Sequence, residues 1–467
     1  MYLYNLNKTS TNAVFNKLIA TTLVILALLF SGYNDLLPWQ RIDSSIGKQQ
    51  YSRVKNGTLF AISETSGKHG SLMGIERDGV KRYAGTRVDD PGYEMLIGVL
   101  SIFGINVSTL HDLGVINYSI VWVAILFMTT IIFYLSRDML TASITFFIQI
   151  IFFKYSYPYL YRELVDQHGL VYPLSVIGLG TSIVYLLKIK KSHFLQSMSA
   201  SLSVGIIIGL IALFRNSVGY SFLIGTIVSL IIMMVECYRR KIAKRNYYIL
   251  ASIIFLVIGY KITYIYTQKI FHYQTKMTLG IEGDLPQATY HTVWHSMFVG
   301  LGFYQNSWGI KWSDASGQEF ANKTAPGIKY LSEAYFTIMQ KLYFRYMFEH
   351  PFEYLRNHIK KITALMRFTL SAIKIPILLL GIIILFKLIT PMTIFNHVNL
   401  DYRYFLVFIV ASALVPILTH YRFSANFITL AFYSLMMFVI IGKGNIAGLN
   451  KILISLKKGG KTNAEST

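Results

Sequence analysis

Residues 188–245 read KIKKSHFLQSMSASLSVGIIIGLIALFRNSVGYSFLIGTIVSLIIMMVECYRRKIAKR. Two apolar runs, 197–213 and 218–236, meet at a short polar tip, and a cluster of Lys and Arg closes each far end. Each run is near the roughly 20 residues that a helix needs to cross a bilayer. Short basic loops stay in the cytoplasm. The stretch therefore reads as a helical hairpin that crosses the membrane twice, with its tip and Arg215 on the non-cytoplasmic side.

Working outward, the same pattern predicts about ten spans, at 18–36, 115–135, 138–154, 170–187, 197–213, 218–236, 246–265, 371–388, 404–420 and 424–441. The first run, LIATTLVILALLFSGY, lacks a small-residue cleavage site and is read as a retained span, not a signal peptide. With alternating spans the basic runs at 188–193, 238–245 and 451–461 all fall on the cytoplasmic side. The fold class expected is an all-α polytopic membrane protein with surface helices in large outer loops. Three parts follow: a transmembrane module at 1–265 with a first outer loop at 37–114, a large outer region at 266–370, and C-terminal helices with a basic tail at 371–467. Segment 93–105 is too short to cross and is read as a surface helix.

Composition agrees. The 467 residues are 54% hydrophobic and only 14% charged, with 33 Tyr and 31 Phe suited to interfacial belts. The net charge of +22 lies largely in loops between spans, where it meets anionic lipid, so nucleic acid is not an expected partner. The single cysteine, Cys237, excludes an internal disulfide and a cysteine metal cluster.

The residues that carry chemistry belong to the outer segments. Asp89-Asp90-Pro91-Gly92-Tyr93-Glu94 precedes the surface helix. An aspartate followed by proline is an ordinary helix start, but a carboxylate held at the membrane surface can also take a proton from an incoming hydroxyl. Tyr161-Arg162-Glu163-Leu164-Val165-Asp166-Gln167-His168 places Glu163 and Asp166 one helical turn apart. With Asp89 or Asp90 they would suit a divalent cation, Mg²⁺ or Mn²⁺; a solvated loop with local ion pairs is the bland alternative. Arg215 either snorkels to the interface or grips a phosphate.

In the large outer region, His291 and His295 share a helical face, yet Thr292 stands where a metalloprotease zinc motif has glutamate, so an aromatic sugar or pyrophosphate pocket is the favoured functional reading. Asp314 reads as a helix cap. HPFEYLRNHIKK (350–361) reads as an amphipathic surface helix with a basic face, and Arg422 in the last outer turn is a further candidate phosphate ligand.

A first outer loop ending in an acidic motif before a surface helix, a second acidic outer loop, and the HPFEYLRNHIKK lead-in to a span are together similar to the GT-C class of membrane glycosyltransferases. Relatives of that class include protein O-mannosyltransferases and lipid A aminoarabinose transferases. The resemblance implies an inverting transfer from a polyprenyl-phosphate-linked sugar donor to a glycan, lipid or protein acceptor. It also implies that Asp89 or Asp90 is the base, although this chain has Asp-Asp where Asp-Glu is commoner. The expected location is a bacterial plasma (inner) membrane with the site facing the periplasm or exterior. An O-antigen-type polymerase or ligase working through Arg and His of the large loop is the first rival. A lipid-linked glycan flippase or transporter is the second.

Overall fold

A computed structural model describes residues 20–25, 74–77, 80–83, 96, 110–136, 138–153, 170–189, 193–279, 293–330, 332–372, 374–389, 402–419, 429, 431–433 and 436. The helices are α1 Leu110–Ser136, α2 Met139–Ile151, α3 Val171–Ile189, α4 Phe194–Phe214, α5 Asn216–Arg239, α6 Ala243–Leu279, α7 Val293–Gly300, α8 Asp314–Thr324, α9 Glu333–Glu349, α10 Pro351–Ala372, α11 Lys374–Ile389 and α12 Tyr402–Thr419. The protein is thus predominantly helical. One departure from the all-α expectation is a short antiparallel hairpin in the first polar loop, β1 Gly74–Arg77 with β2 Val80–Tyr83. Its strands are separated in sequence by Asp78-Gly79, a dipeptide suited to a two-residue turn.

Among the described residues, five helical segments are long and apolar enough to cross a membrane: Val115–Ser136, Val171–Ile189, Phe194–Phe214, Val218–Arg239 and Lys244–Thr263. They coincide with five of the ten expected spans. α2, α11 and α12 are apolar but are not among the five, and the expected spans at 18–36 and 424–441 fall mostly outside the described residues.

Side-chain pairs fix the relative directions. α1 and α2 form an antiparallel hairpin, with Trp122 against Phe146 and Tyr118 against Phe153. α3 runs parallel to α1: Gly180 sits on Phe127 and Ile131, and the Lys188 ammonium lies 5.0 Å from the centre of the Tyr134 ring. α3 also runs parallel to α5, since Gly178 abuts Phe222 and Thr226 donates to Ser182 at 3.3 Å. α4 and α6 are parallel and very close. A Cβ at Gly205 would lie 2.2 Å from the Leu256 carbonyl oxygen, and Gly209 faces Thr263. Small residues allow this approach where lipid removes the hydrophobic drive for helices to associate. α12 runs against α5, with Ser229 donating to the Tyr404 carbonyl at 3.2 Å and Phe222 stacked near Phe408.

These directions bring the first residues of α1, α3 and α5 and the last residues of α2, α4, α6 and α12 to one end of the bundle. α6 leaves that end as a helix of 37 residues, about 55 Å at 1.5 Å per residue, well beyond the ~30 Å of hydrocarbon. The sequence placed the outer region from 266; the helix instead continues to Leu279.

Two cores result. One joins the bundle helices. The other lies within 293–354 and is built on Phe298, Leu301, Tyr335, Met339, Tyr343 and Tyr346. α7, α8, α9 and the start of α10 surround this second core, and α7 and α10 also pack on α12. Asn306 organises the turn between α7 and α8. Its amide donates to the carbonyls of Tyr304 at 3.1 Å and Ile310 at 2.8 Å, and its oxygen accepts from Ile310 N–H at 3.0 Å.

Candidate functional site

Arg215 is both the last cap of α4 and the first cap of α5. The chain is extended there (φ −155°, ψ 98°), which breaks the helix and reverses it. The Arg215 amide donates to the Ile211 carbonyl, and its carbonyl accepts from Val218 and Gly219. Gly219 permits the reversal, because a Cβ there would meet Ala212 at 2.4 Å. Arg215 is 7% exposed, so this is not a side chain lying out at the interface. A guanidinium buried at a span end is costly unless it meets opposite charge or hydrogen-bond acceptors.

His295 is 1% exposed and lies inside the second core. Its Nδ1 is 2.7 Å from the Tyr335 hydroxyl and its Nε2 is 3.2 Å from an Asp314 carboxylate oxygen. A carboxylate only accepts, so Nε2 carries the proton and Nδ1 accepts from the tyrosine O–H. Burial, with Tyr330 and Asp314 nearby, pushes the Tyr335 hydroxyl far up, so it stays a donor at neutral pH. The packing is tight: a Cβ at Gly317 would lie 2.7 Å from the Tyr335 oxygen and 3.1 Å from His295 Cε1. The triad pins α7, α8 and α9 together. The cap of α8 is Ser313, whose hydroxyl oxygen accepts from Ser316 N–H, and not Asp314, which spends its carboxylate on the histidine.

A third cluster lies on α10. Asn357, His358, Lys361 and Thr369 are buried, while Phe352, Leu355, Ile359, Ile362, Met366 and Leu370 are exposed. Sequence reading recognised an amphipathic helix with a basic face here and did not say which residues of that face turn inward. In the structure Arg356, Lys360 and Arg367 are on the exposed side, whereas Lys361 turns inward. Spacing alone shows two faces of a helix; which one faces the protein is set by tertiary packing.

α10 is held at its start. Glu353 accepts from Ser307 through both the backbone N–H (3.0 Å) and the hydroxyl (2.6 Å), which keeps its carboxyl below the usual range. Tyr343 and Tyr354 share a 2.6 Å hydroxyl contact, and Tyr304 donates to the Lys360 carbonyl at 3.2 Å.

Of the residues singled out by sequence, Arg215 and His295 are described, and they belong to different cores. Asp89, Asp90, Glu163, Asp166, His168, His291 and Arg422 lie outside the described residues. Among the described residues no three His, Cys, Asp or Glu side chains gather to hold a metal ion. Comparisons with protein-family models, with curated proteins and with solved structures found no match.

Proposed function

We propose that the chain is an integral membrane glycosyltransferase that moves a sugar from a polyprenyl-phosphate donor to a glycan, lipid or protein acceptor at the non-cytoplasmic face. One observation carries the reading. Arg215 is buried at the bundle end where the helix ends flanking the acidic segments also lie: α1 begins there after Asp89 and Asp90, and α2 ends and α3 begins there around Glu163, Asp166 and His168. α6 ends beyond this end of the bundle, and the 293–354 unit follows it in the sequence.

The chemistry asks little of such a site. The acceptor oxygen attacks the anomeric carbon and the bond from that carbon to the phosphate oxygen breaks. The phosphate leaves with the electron pair, and the acceptor proton passes to Asp89 or Asp90. The Arg215 guanidinium supports the phosphate charge. Glu163 and Asp166 would supply the carboxylates for Mg²⁺ or Mn²⁺ should the donor bring one.

The test is sugar transfer by the purified full chain with a panel of radiolabelled polyprenyl-phosphate sugars. Asp89→Asn or Asp90→Asn should lower turnover by roughly 10²–10⁴-fold, the usual contribution of a general base. Transfer indifferent to both aspartates but lost in Arg215→Met would move the reading to a polymerase or ligase.

A further inference from the structure

α10 is amphipathic in the reverse sense for a helix covering a protein core. Its outward stripe, Phe352, Leu355, Ile359, Ile362, Met366 and Leu370, is apolar, and Phe352 is 87% exposed. Arg356, Lys360 and Arg367 interleave with it. That face has the composition of a helix lying in the boundary between headgroups and acyl chains. Its inward stripe at 357, 361, 365 and 369, spaced by one turn, is polar except for Leu365.

The inward polar atoms are enclosed and unmatched. Both amide atoms of Asn357, Nε2 of His358, Nζ of Lys361 and Oγ1 of Thr369 are buried with no hydrogen-bond partner among the described residues. Lys361 is 3% exposed. Among the described residues, the carboxylates at the start of this helix and just before it are bonded elsewhere: Glu353 to Ser307 and Arg356, and Glu349 to Arg345. Buried polar groups without partners are rare in folded proteins and call for a missing partner. Several on one stripe call for a shared one.

What each atom needs defines that partner. The Lys361 ammonium has three donors and no acceptor, so it requires an anionic oxygen. His358 Nδ1 lies 2.9 Å from the Tyr354 carbonyl and donates to it, which leaves Nε2 as an acceptor in search of a hydroxyl. Burial and the neighbouring Lys361 charge lower this imidazole to about 4, so it stays neutral at physiological pH. Asn357 can serve either kind of group.

We propose that the inward face of α10 binds the headgroup of a lipid-linked phosphate that also bears hydroxyls, with Lys361 on the phosphate and Asn357 and His358 on the hydroxyls. The lipid-facing outer stripe brings the helix to where such a headgroup sits. Identifying this lipid as the sugar donor rests on the transferase reading above; the binding site itself does not.

The experiment uses the full chain in nanodiscs, with short-chain polyprenyl phosphate and phosphatidylglycerol as probes and inorganic phosphate as competitor. Lys361→Met should raise the melting temperature of the unliganded protein, because it removes an unmatched buried charge. It should also weaken polyprenyl-phosphate binding roughly ten- to a hundredfold, the worth of a charge-assisted hydrogen bond. Lys360→Met, on the exposed side of the same helix, should do neither. Asn357→Leu should weaken a sugar-bearing donor more than bare polyprenyl phosphate.

A Lys361→Met protein that melts lower and binds unchanged overturns the site. Phosphatidylglycerol competing on equal terms assigns the site to bulk phospholipid and overturns the donor. Inorganic phosphate competing as well as either lipid overturns the lipid. Lys361-dependent binding with no sugar transfer from any donor defeats only the transferase reading. Transfer whose KM is untouched by Lys361→Met defeats only the site.

Discussion

The span bundle and the 293–354 unit differ in what lets their helices come close. In the bundle, helices approach through what side chains lack: Gly205 lets α4 rest on the backbone of α6, and Gly219 lets α5 fold back on α4. In the 293–354 unit, rings fill the space. Phe298 meets Phe320 edge-on, Trp308 packs on Tyr346, and Tyr343 meets Tyr354. The difference follows from the solvent. Water drives the burial of rings, whereas lipid is as apolar as the side chains and leaves close packing and hydrogen bonds between helices to hold them. The two regions should therefore fail under different substitutions.

The largest effect is expected at the centre of the aromatic core. Phe298→Ala removes a fully buried ring and should cost about 3–5 kcal/mol. Limited proteolysis of the variant should open cuts within 293–354 while the span helices stay protected. Equal exposure of the bundle would show that the two cores unfold as one and would break the comparison.

The regions meet where α7 and α10 pack on α12, and on α10 His358 should make stability sensitive to acid. Its imidazole is held at about 4 against an ordinary 6.5, chiefly by burial and secondarily by Lys361. Above pH 6.5 it is neutral folded and unfolded and contributes no slope. As pH falls through 6.5 the unfolded chain takes up a proton that the folded chain refuses, so stability drops by about 1.4 kcal/mol per pH unit until the folded group titrates near 4. Thermal melts across pH 4–7 should show this slope in the native chain and lose it in His358→Phe. In Lys361→Met the lower edge of the window should move up, since one cause of the depression is gone.

Gly205→Ala should cost roughly 1–3 kcal/mol, because its Cβ would meet a backbone oxygen that cannot rotate away. Gly381→Ala in α11 has nothing within 4 Å and should stabilise by roughly 0.5–1 kcal/mol through helix propensity. Melting in detergent should give opposite signs. The pair also shows how far the sequence could be read. Apolar length and basic loops were enough to place the span helices through 188–245, because hydropathy and charge act locally along the chain. That Gly205 is a contact and Gly381 is open depends on which helix lies opposite, which no single run encodes. Nor could spacing decide that α10 turns Lys361 inward, or that His295 looks into a core with Tyr335, forty residues away, as its partner. The acidic residues that carry the transferase reading were legible only as chemistry and position.

A last pair of variants separates the two bonds of His295. Tyr335→Phe leaves Nδ1 buried without its donor and should cost roughly 1–3 kcal/mol, the desolvation of an unmatched buried acceptor. Asp314→Ala removes a carboxylate whose side chain is 65% exposed, so water can replace it at Nε2, and the cost should be no more than about 1 kcal/mol. Ranked melts of the two variants test whether the triad is a structural pin. If it is, neither change should alter sugar transfer beyond the fraction of protein unfolded at the assay temperature. If Asp314→Ala instead abolishes transfer while the melt hardly moves, the half-exposed end of the triad touches substrate. The aromatic unit would then be part of the reaction site and not only its scaffold.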